Sequence, residues 1–152
     1  MQKHITAAER APMRVVLITL DNNLATAVAR AERDLRADAP SVELNLDVAA
    51  NWNANPKALE ACKADIARGD IIIVTMLFLE EHIRAILPDL EARRDHCDAM
   101  VGCMSAGEVI RLTRLGRFSM GEKEAGVIAL LKKFRGSRKP GQSSGANQIA
   151  ML

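Results

Sequence analysis

The sequence predicts an α/β domain, a single doubly wound layer of four parallel strands with helices above and below. Three observations carry this. Residues 71–78 form an apolar run broken only by Thr75 and rich in β-branched side chains, as in a strand buried on both faces. Residues 14–20, Arg-Val-Val-Leu-Ile-Thr-Leu, repeat that composition. Strand-length apolar runs then alternate with segments of helical periodicity, the order that builds a parallel sheet through right-handed crossovers.

Taken in order, residues 1–12 read as a mobile leader. After the first strand, Asp21, Asn22 and Asn23 break the chain and offer a helix cap. Leu24, Val28, Ala31 and Leu35 follow at helical spacing, and the helix should stop near Asp38, Ala39 and Pro40. Val42, Leu44, Leu46 and Val48 alternate with Glu43, Asn45 and Asp47, a half-exposed strand suited to a sheet edge. Asn55 and Pro56 supply an N-cap and an N1 proline. Leu59, Cys62 and Ile66 mark that helix's inner face, and Gly69 ends it as a C′ residue.

The run from residue 71 is the central strand. A helix from Glu80 to Asp95 carries Ile83, Ile86, Leu87 and Leu90, with Pro88 expected to kink or restart it. Residues 99–104 are a fourth apolar strand. Residues 105–108 turn into a helix bearing Val109, Ile110, Leu112 and Leu115, ended by Gly116. Gly121 precedes a last amphipathic helix with Val127, Ile128, Leu131 and Phe134 inward. The Gly/Ser/Pro/Lys-rich stretch from residue 137 to 152 reads as a linker to a further body. The head is thus expected over residues 13–136. The doubly wound rule gives strand order 2-1-3-4, flavodoxin- or Rossmann-like.

Composition narrows the function. A chain of 152 residues suits one domain with a real core. Aromatics are 3% with no Tyr, too few to stack single-stranded bases, so nucleic acid is not an expected partner. The net charge of +2 hides an asymmetry: residues 1–107 carry 12 Lys/Arg against 16 Asp/Glu, and residues 108–152 carry 9 against 3. The basic end is a solvated face or a docking tail. Cys62, Cys97 and Cys103 are odd in number and form no Cys-x-x-Cys, which points to thiols in a reducing compartment. Without a signal-peptide pattern or an apolar run of about 18 residues, a cytoplasmic protein with no membrane span is expected.

Ligands in such sheets bind beyond the carboxyl ends of the strands. The turn after the first strand, residues 20–24, has no glycine, so the dinucleotide fingerprint fails, and no P-loop occurs. A flavodoxin-type phosphate loop is also missing. A receiver domain wants an acceptor Asp after its third strand, where Met76, Leu77 and Phe78 stand. The best local cluster is Glu80, Glu81 and His82. Paired carboxylates suit a hard cation such as Mg²⁺, and equally suit the first turn of a helix. His82 reads as a surface helix residue, His96 as structural at a helix end. Ser105 lacks the nucleophile elbow and reads as an N-cap, with Glu108 completing a capping box. Arg111, Arg114 and Arg117 could grip carboxylates or form a solvated face. Weak binding candidates are therefore Glu80, Glu81, His82, Ser105, Glu108 and Arg111, with no catalytic residue and no metal ligand assigned.

Two segments carry a family resemblance. One is residues 70–82, ending Phe78-Leu79-Glu80-Glu81-His82. The other runs over residues 93–100 and on to Glu108-Val109-x-Arg111-Leu112-x-x-Leu115-Gly116-x-Phe118-Ser119-Met120. Together they resemble the N-terminal domain of the magnesium chelatase H-subunit family, in its bacteriochlorophyll-pathway form, over roughly residues 13–152. The resemblance implies a large protein that binds protoporphyrin IX and hosts Mg²⁺ insertion, working with an ATP-hydrolysing motor subunit and a bridging subunit. It implies that the porphyrin-binding body lies in the remainder of the H subunit, and it assigns no catalytic residue here. The reading that follows is an accessory head. The alternative is a free-standing flavodoxin-like small-molecule-binding regulatory module.

Overall fold

The computed structural model of the protein describes residues 12–120. The leader expected over residues 1–12, Pro12 apart, the last amphipathic helix and the linker lie outside the described residues. The elements are β1 (Met13–Thr19), α1 (Leu24–Asp38), β2 (Val42–Val48), α2 (Pro56–Arg68), β3 (Ile71–Thr75), α3 (Glu80–Arg94), β4 (Ala99–Cys103), α4 (Gly107–Arg111), β5 (Arg114–Leu115) and β6 (Phe118–Ser119), with a 3-10 turn at Ala49–Asn51. The fold is α/β, and among the described residues one sheet runs β2-β1-β3-β4-β5-β6.

The first four strands are mutually parallel, and β5 and β6 are antiparallel additions on the β4 side. The expectation of a four-stranded, wholly parallel sheet is thereby corrected: the sheet is mixed and has six strands. The cause is in residues 107–119, where helical spacing predicts one helix through Leu115. That helix stops at Arg111. Thr113 Oγ1 accepts from the Gly102 amide at 3.0 Å and donates to the Gly102 carbonyl at 3.3 Å, taking the place of a strand partner for β4. Leu115 pairs with Ala99 and, across a two-residue turn, with Phe118. Gly116 has φ +55°, the positive value that opens a tight hairpin.

Two guanidinium groups fasten this hairpin to the end of α3. Arg94 Nε donates to the Leu112 carbonyl at 3.2 Å. Arg114 Nε donates to the Arg94 carbonyl at 3.0 Å, and its Nη2 to the Cys97 carbonyl. The Arg94 carbonyl at the C-terminus of α3 and the Cys97 carbonyl just beyond it thus find a cationic donor. Gly102 is required by proximity: a Cβ there would overlap the Val109 carbonyl group of α4, only 2.8 Å from its carbon.

The core lies on one side of the sheet. Val16, Ile72 and Met100 share a register row, as do Ile18, Val74 and Gly102. The apolar members of these rows are almost wholly buried in one cluster with Cys62 and Ile66 of α2 and Ile83, Ile86 and Leu90 of α3. The alternate row, Val15, Leu17, Ile71, Ile73 and Val101, is only half-buried. β3 is therefore fully buried on one face, not two, and it ends at Thr75 instead of continuing to Phe78. The physical reason is the cover: α1 buries no residue completely, and α4 packs on the core row, with Val109 against Gly102.

Other local expectations are settled by the same packing. α3 runs unbroken across Pro88 without restarting. Gly69 follows α2 with φ −63°, so it is not a left-handed C′ residue. Its need is space, since a Cβ would meet Val16 Cγ2 and Ile72 Cγ1 at 3.0 Å. Asp70 Oδ2 accepts from the Arg14 amide at 2.8 Å while its carbonyl accepts from Asp98 at 2.8 Å, joining β1, β3 and β4 at their entry.

β2 is an edge strand, but Asp47 does not point to solvent. It is in register with Ile18, on the core side, beside Cys62 of α2. Burial and then the nearby Asp65 charge push its carboxyl up to about 6, offset in part by a hydrogen bond with Cys62. Burial and the Asp47 charge push the Cys62 thiol upward in turn. Because the folded pKa of Asp47 exceeds the ordinary carboxyl value of 3.8, its proton favours the native state below about pH 4. That contribution is lost as pH rises through 6. Asp47→Asn should remove this slope, leaving a melting temperature above that of the parent at pH 7–8 and the gap closing toward pH 4, as read by thermal scans across pH.

Candidate functional site

Four loops lie at the carboxyl ends of the parallel strands β1, β2, β3 and β4. At the end of β1, Asp21 accepts from the amide of Asn23 at 2.8 Å and from its side chain at 2.9 Å. The Asp21 amide in turn donates to Thr19 Oγ1 at 3.1 Å. The turn is closed on itself, with the Asp21 carboxylate already bonded. Asn23 stands at the N-cap of α1 without capping it by its side chain.

The loops after β3 and β4 are tied to each other. The Met76 amide donates to the Met104 carbonyl and the Ala106 amide to the Leu77 carbonyl, each at 3.0 Å. The Leu77 amide donates to Ser105 Oγ at 3.2 Å, and Ser105 Oγ–H donates to the Cys103 carbonyl at 3.0 Å. Ser105 is therefore a buried cross-link between two turns, and the expected N-cap role is corrected. Ala106 is the N-cap of α4, with no side-chain cap bond from any residue. Ser105 takes no part in a capping box with Glu108. Met76 and Met104 both adopt positive φ, 59° and 47°. A non-glycine residue in that region carries local strain, sustained here by the paired turns.

The acidic step divides. Glu80 pairs with Arg84 one turn along α3, with both side chains about three-quarters exposed. Such a pair contributes a few tenths of a kcal/mol, roughly 0.3–0.5. Glu81 Oε1 accepts from Asn53 Nδ2 at 3.4 Å and stands 3.7 Å from His82 Nε2. His82 is buried, at 4% exposure, which corrects the surface reading. Its ring meets Trp52 edge-on, with centroids 5.5 Å apart and planes at 88°. Neither His82 nitrogen nor Trp52 Nε1 has a hydrogen-bond partner among the described residues. The arrangement is an aromatic pair wedged between the β2 and β3 loops.

Glu108 and Arg111 lie exposed on α4, and neither forms an ion pair among the described residues. The predicted candidates thus share one rim but are not one constellation. Glu81 and His82 meet Trp52 and Asn53. Glu80 meets solvent and Arg84. Ser105 is structural, and Glu108 and Arg111 stand apart. No group of three or more His, Cys, Asp or Glu suited to a metal ion occurs among the described residues. The opposite end of the helices carries an open hollow of about 270 Å³ lined by Ala67, Asp89, Ala92, Arg93 and His96. Arg93 is already spent there on the Gly69 carbonyl, at 3.0 and 3.1 Å.

Trp52, Asn53, Met76 and Met104 are not legible as rim residues in the sequence. Trp52 carries one signal, as the only Trp, in the loop before an Asn-Pro helix start. The two methionines carry none, since their chemistry does not request positive φ.

The fold and rim define an α/β domain with a closed first turn and two interlocked apolar turns. Residues 14–152 match the family described as Domain of unknown function (DUF3479), and the chain belongs to that family. It is 41% identical over 138 residues, 91% of its length, to the magnesium-chelatase H subunit of Rhodobacter capsulatus, and equally to that of Cereibacter sphaeroides. The chloroplastic ChlH subunit of magnesium chelatase from Oryza sativa subsp. indica is 30% identical over 131 residues, 82% of this chain. The chain spans 12% of the length of the two bacterial relatives and 9% of the rice protein. It is an N-terminal domain of the H-subunit kind.

Ser105→Ala should leave the buried Leu77 amide without an acceptor and lower stability by about 1–3 kcal/mol. The shift of the urea midpoint at unchanged m-value checks this.

Proposed function

We propose that this chain serves as the accessory α/β head of a magnesium chelatase H subunit. In that assembly the H subunit binds protoporphyrin IX and Mg²⁺ as substrates for insertion on the path to (bacterio)chlorophyll. ATP is hydrolysed by a motor subunit that acts with a bridging subunit. The head spans residues 13–136, of the flavodoxin-like doubly wound class, and residues 137–152 lead toward the body. It works in the cytoplasm, on gating, subunit contact or porphyrin access, and does not chelate metal alone.

The observation that carries this reading is the 41% identity to two bacterial relatives, each named as the H subunit of magnesium chelatase, across 91% of the chain. The rim agrees with an accessory role. Its strongest acidic candidates are engaged separately, Glu80 with Arg84 and Glu81 with Asn53. Ser105, the one candidate nucleophilic hydroxyl, is held in a backbone tie.

The test is a titration with a soluble porphyrin, followed by absorbance, of this chain and of the intact H subunit side by side. The isolated chain should bind at least 100-fold more weakly. Equal affinity would make the head the porphyrin site and end the accessory reading. A flavin absorbance band in the purified chain would instead favour the small-molecule module.

A further inference from the structure

The interlocked turns expose three large apolar side chains. Phe78 is 54% exposed, Leu79 47% and Met104 68%. These three lie on the two turns joined by the Met76–Met104 and Leu77–Ala106 bonds, so they form one patch. Met76 and Met104, both at positive φ, lie within these same turns. A contiguous exposed apolar patch of a few hundred Å² is often functional.

The size of the patch selects its occupant. Three side chains at these exposures present roughly 300 Å², well under the about 800 Å² per partner of a stable free interface. A freely diffusing protein would gain too little from it. A surface on the same polypeptide needs far less, because tethering supplies an effective concentration in the millimolar range. The relatives have such a polypeptide, since the segment matched here is 12% of their length. We infer that Phe78, Leu79 and Met104 form an intramolecular docking surface that seats the head on an apolar patch of the H-subunit body.

This inference rests on the head reading and deepens it. It also has a probe in place. Cys103 is an exposed free thiol next to Met104, on the strand that feeds the same turn. A docked body covers it. The experiment is alkylation of Cys103 by iodoacetamide in the native, intact H subunit, followed peptide by peptide in a mass spectrometer. The variant pairs Phe78→Ser with Leu79→Ser. Leu79 is the N-cap of α3 and makes no side-chain cap bond, so serine there suits the helix. Met104→Gln repeats the test from the other turn without adding charge beside the thiol.

Cys103 should react at least tenfold faster in each variant than in the parent, at every protein concentration and without porphyrin. Equal rates in parent and variants, fast or slow, overturn the inference. Protection that grows with protein concentration assigns the patch to a second copy and overturns it too. Protection that appears only with added porphyrin assigns the patch to the ligand and likewise overturns it. Should the porphyrin titration fail the accessory reading while Cys103 stays protected without porphyrin, the docking surface stands and only the head's role changes.

Discussion

Past Thr75 the backbone of β3 leaves the sheet ladder, and its next two amides are taken by the neighbouring turn. Met76 N–H goes to the Met104 carbonyl and Leu77 N–H to the Ser105 hydroxyl. Buried amides must be paired, and here the pairing can be met only if the β3 and β4 exits run side by side. The left-handed methionines, the buried serine and the outward Phe78 and Leu79 all follow from that requirement. The rim is thus a consequence of backbone satisfaction, and its exposed side chains are held where they are by bonds beneath them.

A second constraint closes the other side of β4. α4 approaches so closely that only glycine fits at residue 102, and Thr113 then completes the ladder that no strand reaches. The short helix hands over to a hairpin, which Arg94 and Arg114 fix against the end of α3. These bonds convert the end of the described chain from a helix layer into sheet. The row of Val15, Leu17, Ile71, Ile73 and Val101 is less buried than its opposite.

The functional picture is consistent with this economy. The closed Asp21 turn leaves its carboxylate internally bonded, and the acidic step after β3 is split between solvent and an aromatic pair. Among the described residues the rim also carries exposed apolar surface at Phe78, Leu79 and Met104. In the relatives, this segment is a small fraction of a long chain.

Sequence alone determined the element order through β4, the position of β2 at an edge, the Asn55–Pro56 helix start and the kinship with the H subunit. Each of these is written locally, in periodicity, turn residues or a string of identities. Tertiary structure decided what locality cannot hold. Helical spacing over residues 109–115 lost to the vacant edge of β4. Ser105 gave up capping because a buried amide 28 residues away needed an acceptor. Asp47 turned inward because register with Ile18, and not its own polarity, sets its face. His82 became core because Trp52 arrives from another loop. In every case the deciding partner is distant in sequence, and burial makes its unmet hydrogen bond or unfilled space costlier than the local preference it overrides.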